Sequence, residues 1–130
     1  MLMGEQSAET ASALADALTV VLPGKRALLV ASTDLSHYHD AATAGRLDRV
    51  VIDCVARFDH EGLQRAIDVR PEHACGRGPM VAVMRAAKQL GARDAVVLNY
   101  ADSGDVSGDK SAAVGYLAAA FGSFRGESGH

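Results

Sequence analysis

A chain of 130 residues with a net charge of −3 is long enough for one domain with its own core and too short for two. Its 13 Lys and Arg are scattered, its aromatic content is 5% with no Trp, and no apolar run approaches the ~20 residues of a membrane span. These features argue against a nucleic-acid partner, a base-stacking platform and a membrane partner. The start, Met1-Leu2-Met3-Gly4-Glu5, lacks the basic and apolar regions of a signal peptide, so the expected location is cytoplasmic, with both cysteines reduced.

The first predicted element is a helix over 7–22. Ala8, Ala11, Leu14, Ala15, Leu18 and Leu22 recur at helical spacing, Ser7 can cap it, and Pro23-Gly24 ends it. The run Ala27-Leu28-Leu29-Val30-Ala31 has the continuous apolar character of a strand buried on both faces. A polar loop follows over 32–40. A second helix is expected over 47–58, with Leu47, Val50, Val51, Cys54, Val55 and Phe58 on one stripe. A short third helix starts at Asp59 or His60 and ends near Arg70-Pro71. Pro79 suits the first position of a helix to Leu90 that Gly91 closes. Ala95 to Tyr100 is a second buried strand, 102–110 a polar loop, and the apolar run 112–121 a third strand whose alanines also permit a helix. The expectation is a single α/β domain over 1–121 with a disordered tail over 122–130. Its mostly parallel sheet is sandwiched by helices, and ligands would bind beyond the carboxyl ends of the strands. Three strands make a small sheet with an exposed edge, which calls for oligomerisation or for a further part of the fold.

The chemistry-bearing residues gather in two loops. One is Ser32-Thr33-Asp34-Leu35-Ser36-His37-Tyr38-His39-Asp40; the other is Glu72-His73-Ala74-Cys75-Gly76-Arg77-Gly78-Pro79. Cys54 lies on an apolar helix stripe and reads as a small hydrophobe. Cys75 lies between charged residues and glycines, where Arg77 and a helix start favour a thiolate, a nucleophile and soft metal ligand. The alternative is a cysteine buried in a tight turn. His37 and His39 would face the same way if strand geometry continued, and with Asp34 they could form a metal site or an acid–base pair. Otherwise one caps the next helix, the other is solvated, and Asp34 makes an Asx turn. His73 could be a second ligand beside Cys75, but a lone His-x-Cys is a weak signal. His60 reads as a helix-start residue and His130 as a tail residue. The chain has no dinucleotide fingerprint, no phosphate loop, no nucleophile elbow and no calcium loop with a closing Glu.

Four motifs in order carry a resemblance. Ser-Thr-Asp34-Leu-Ser-His37-Tyr, Cys75-Gly-Arg77-Gly-Pro79, Leu98-Asn-Tyr100-Ala-Asp-Ser103-Gly-Asp, and Val114-Gly-Tyr116 are similar to the pattern of the Memo family. That family includes the prokaryotic AmmeMemoRadiSam system protein B and is related to class III extradiol dioxygenases, which hold non-haem iron in an α/β fold. The resemblance runs from Gly4 to about Phe121. It implies half of the extradiol dioxygenase and Memo fold, a metal pocket using Cys75 and His37 as ligands, and Asp34 beside them, with Asp34 and His37 as the residues for proton movement. His39 and Arg77 would complete the pocket. The implied cofactor is iron or copper, or none in this chain alone. A cysteine stands where the extradiol enzymes have a carboxylate. The family pocket also uses two histidines from an N-terminal half, one in a Pro-His-Ala-Gly-like motif, and this chain has no such motif. The expectation is therefore a C-terminal half. Its functions divide between a metal-dependent, dioxygenase-like oxidoreductase, a non-catalytic binding module, and a truncated half that acts through self-association or through the missing N-terminal half.

Overall fold

The structure is a computed structural model that describes residues 2–35, 41–70, 76–109 and 111–124. Helix α1 spans Ala8–Val21, and Ser7 caps it by accepting from the Thr10 amide. Helix α2 spans Ala41–Ala56, six residues longer at its start than the apolar stripe alone indicates. Its first residues, Ala41-Ala42-Thr43-Ala44, are all small, and alanine favours helix without announcing a stripe. Phe58 then adopts a left-handed φ of 56°, a conformation that costs a non-glycine residue. It is held by its surroundings: its ring packs 4.9 Å from that of Phe121, and Lys88 sits 5.4 Å above it and donates to its carbonyl. Helix α3, His60–Val69, follows with Asp59 as its cap, the carboxylate accepting from the Gly62 amide.

Helix α4 spans Arg77–Gln89, so Pro79 occupies its third position and not its first. The first-turn amides have no intrahelical acceptor, so proline is tolerated there. Gly78 and Pro79 through Met84 are buried, and so is Ala86. α4 is the central helix of the domain: α1 lies along one side of it, and α3 and the sheet lie on others.

The sheet departs most from expectation. Among the described residues it has two strands, β1 (Asp94–Asp102) and β2 (Gly115–Gly122), and they run antiparallel, not parallel. The cause is their connection, which holds only the one-turn helix α5 (Gly104–Ser107) and closes on itself. The Ser103 amide donates to the Val114 carbonyl, and the Val114 amide to the Ser103 hydroxyl. Such a closure brings the strand ends side by side, whereas a parallel pair needs a long crossover. Asp102 and Asp105 cap each other's backbone amides in this connection. The pairing slips between Val97 and Asn99, so that Leu98 has no register partner.

The run 27–31 is not a strand of this sheet, and Leu28 is 86% exposed. Nor, among the described residues, do helices cover both faces. Ala95, Val97, Tyr100, Leu117, Ala119 and Phe121 all pack on one core cluster that also holds Leu35, Val51, Leu63, Ile67 and Met84. The opposite face leaves Val96, Leu98 and Tyr116 in solvent. Ser123 and Phe124 continue past β2, and the Phe124 amide donates to Asp94. Residues 125–130 lie outside the described residues.

The core assignment predicts a contrast. Leu63→Ala should lower stability by about 2–4 kcal/mol in urea unfolding, whereas Leu28→Ala, at a side chain already in water, should change it by less than about 0.5 kcal/mol.

Candidate functional site

The two chemistry-bearing loops meet at Thr33 and Gly76. The Gly76 amide donates to Thr33 Oγ1 over 2.7 Å, and the same hydroxyl donates to the Asp34 carbonyl over 2.8 Å. The approach is close enough to require glycine: a Cβ at position 76 would lie 2.6 Å from Thr33 Oγ1 and 2.8 Å from the Ser32 carbonyl oxygen. One residue beyond Asp34, the buried Leu35 donates its amide to the Gly115 carbonyl over 2.9 Å, tying the first loop to the start of β2. Arg77 is half-buried and opens α4 directly after Gly76. The Gly78 amide, one of the helix's first-turn donors, is taken by Gln6 Oε1 from the segment before α1.

Under this rim lies a carboxylate that the sequence pattern did not single out. Asp48 is fully buried on α2 and accepts a 2.7 Å hydrogen bond from the Tyr100 hydroxyl on β1. Oδ2 of Asp48 sits against the backbone of Gly115, where any Cβ would overlap it. Burial, and then the bond to Asp48, raise the Tyr100 phenol above its ordinary value of 10. The sequence does carry a signal for Asp48: it shares a helix face with Ala44, Val51 and Val55, and a charged residue on a buried stripe needs a partner.

Of the residues expected to carry chemistry, Asp34 and Arg77 are therefore placed at the rim. His37, His39, His73 and Cys75 lie outside the described residues. Among the described residues there is no cluster of three or more His, Cys, Asp or Glu suited to a metal ion. Cys54 is a buried free thiol whose pKa desolvation pushes up, as befits a core residue. His60 is the first residue of α3, and burial lowers its pKa. A cavity of about 790 Å³ lies between the run 22–35, α4 and β2; most of its side chains are apolar, with Lys25 its one ionisable side chain among the described residues.

The fold and the rim define an α/β protein in which two polar loops, distant in sequence, are hydrogen-bonded to each other near the end of a hairpin that packs on a buried carboxylate of α2. The chain belongs to the Memo family: the model of the Memo-like protein family matches residues 1–120. A MEMO1 family protein of Methanosarcina mazei is 44% identical over 118 residues, which cover 89% of this chain and 44% of the relative. One of Methanosarcina acetivorans is 42% identical over 120 residues, covering 89% and 44%. One of Sulfolobus acidocaldarius is 40% identical over 119 residues, covering 90% and 42%. The chain thus spans less than half the length of these relatives. Among the described residues, no helix is long and apolar enough to cross a membrane.

The Asp48–Tyr100 pair predicts a pH signature. The folded chain favours the neutral phenol, so its stabilisation is complete below pH 10 and is lost as the pH rises above that value. Tyr100→Phe should destabilise the chain by about 1–3 kcal/mol at neutral pH, because it leaves a buried carboxylate short of a donor. Its unfolding free energy should also fall less steeply than the parent's above pH 10, as read by chemical denaturation at stepped pH.

Proposed function

We propose that this chain supplies part of a redox-related metal pocket, for iron or copper, at the rim where the two loops meet. Cys75 is the thiolate ligand and His37 the imidazole ligand. Asp34 orients His37 or moves a proton to and from it, and His39 and Arg77 line the pocket. The observation that carries this reading is the hydrogen bond between Gly76 and Thr33. Cys75 immediately precedes Gly76, and His37 follows Leu35 by two residues. The bond between Thr33 and Gly76 joins the two loops that carry the thiol and the imidazole, which supports their sharing one pocket.

The donor chemistry fits such a metal. Thiolate and imidazole suit iron and copper, and two ligands leave positions open for further donors and for substrate. A bound ion of this kind would supply one-electron chemistry or Lewis acidity. Arg77 and the start of α4 hold positive potential beside Cys75, which favours its thiolate. Asp34, hydrogen-bonded through its carbonyl to Thr33, lies three residues before His37 in the sequence of the same loop.

Tag-free protein purified without chelator should carry iron or copper, and Cys75→Ser should lower the metal content about tenfold or more by elemental analysis. Metal content that is negligible, or that does not respond to Cys75→Ser, removes the reading. Under native conditions, alkylation should label Cys75 at least about tenfold faster than the buried Cys54; equal rates would show that Cys75 is not the reactive thiol.

A further inference from the structure

A second cavity, of about 310 Å³, opens where α2 meets the end of α3. It is lined by Thr43, Arg46, Leu47, Val50 and Arg70. The first four fall at i, i+3, i+4 and i+7 of α2 and so share one helix face, a different face from the one that carries Asp48. Arg70 arrives from α3. It is the residue at which that helix passes into extended backbone, its amide still donating to the Ala66 carbonyl. Two cationic side chains from different elements thus border one small space, which also has the buried Leu47 and the exposed Val50 in its wall.

The charges around this space are unevenly arranged. Like charges that border one cavity repel each other, and a chain with a net charge of −3 has more carboxylates than cations. Yet the acidic residues of these stretches are engaged elsewhere: Asp48 with Tyr100, Asp53 with Arg49 over 3.1 Å, and Asp68 with Gln64 over 2.7 Å. Among the described residues neither Arg46 nor Arg70 forms an ion pair. Arg46 is nonetheless oriented, because its guanidinium donates to the Thr43 hydroxyl over 3.1 Å on the face that lines the cavity. A guanidinium held by one hydroxyl keeps its other N–H donors for an oxyanion.

We propose that this cavity binds a small organic acid. Its anionic head, a carboxylate or a phosphate monoester, is held by Arg46 and Arg70, and its apolar body of a few carbons rests against Leu47 and Val50. A space of about 300 Å³ is at the small end of ligand sites, which limits the body to that size. The wall chemistry sets the rest: two guanidinium groups select an oxyanion, and the two aliphatic side chains select an ester or acid with an alkyl group over a bare inorganic ion. This inference does not rest on the metal reading, since none of the five lining residues belongs to the two loops that meet at Thr33 and Gly76.

The test is a titration of the isotope-labelled chain with butyl phosphate and with isovalerate, followed by amide chemical shifts. Saturable shifts are expected at Thr43, Arg46, Leu47, Val50 and Arg70, with an affinity that falls as salt is raised. Arg46→Gln and Arg70→Gln should each weaken binding about tenfold or more and leave the Tm at the parent value, because both side chains are exposed. Arg49→Gln removes the same charge from the same helix outside the cavity and should leave the affinity unchanged. Inorganic phosphate should bind about tenfold or more weakly than butyl phosphate, since it has no body for Leu47 and Val50 to receive. Saturable binding of either acid upholds the proposal, and the tighter of the two identifies the head group. The absence of saturable shifts at the five residues with both acids overturns it. So does a loss on Arg49→Gln as large as that on Arg46→Gln, which would mean diffuse attraction to the helix. Inorganic phosphate binding as tightly as butyl phosphate would also overturn it, since the apolar wall would then play no part.

Discussion

A single enclosed carboxylate organises this molecule. Asp48 cannot be solvated, so its charge has to be met by hydrogen bonds, and Tyr100 supplies one across the boundary between α2 and the hairpin. The same oxygen's closeness to Gly115 fixes how the hairpin sits on the helix. From there the order propagates through backbone contacts. Gly115 holds Leu35, and Thr33, two residues before it, holds Gly76 at the head of α4. Each step ties together elements far apart in the chain, and without the first the others lose their common reference. A hydrophobic residue at position 48 could fill the same space, but it would not specify which strand register faces the helix.

The helices were legible because apolar residues recurring every three or four positions line up on one side of a helix and on no side of a strand. Ser7, Asp59 and the apolar residues after each of them mark α1 and α3 closely. The apolar runs at 95–100 and 112–121 were also legible as strands. Their direction was not, because alternation of helices and strands along a chain implies a parallel sheet only when each crossover is long enough to carry a helix back across it. Between Asp102 and Gly115 the chain has room for α5 alone, and the Ser103–Val114 closure turns it straight back. The run 27–31 failed for a different reason. Its composition describes a strand with neighbours on both sides, and residue type cannot report whether the neighbours belong to the same polypeptide.

At the candidate site the balance is similar. Asp34, Arg77 and the glycines beside Cys75 stood out because ionisable groups crowded after an apolar run have no structural need to be there. Thr33 did not stand out: its hydroxyl does its work through backbone partners, and no spacing rule marks such a bond. Gly76 permits a close approach, and that approach is to Ser32 and Thr33. Asp48 was hidden by its own helix, since the stripe around it drew attention to the apolar residues and away from the one that interrupts them. The motifs shared with the Memo family include Tyr100 and Val114-Gly115, and the geometry gives those positions a physical role: they anchor the hairpin from which the first loop hangs.

Helix α1 is joined to the rest of the domain in a distinct way. Its main packing partner is α4, and its polar ties also run there: Ser12 and Asp16 to Arg85, and Gln6 just before it to Gly78. Ala11 and Leu14 of the same helix also reach the common core, so the seam is apolar beneath and polar at its margin. The N-terminal segment is therefore a cap on the first turn of α4: Gln6 accepts from an amide there that no residue of the helix itself can pair.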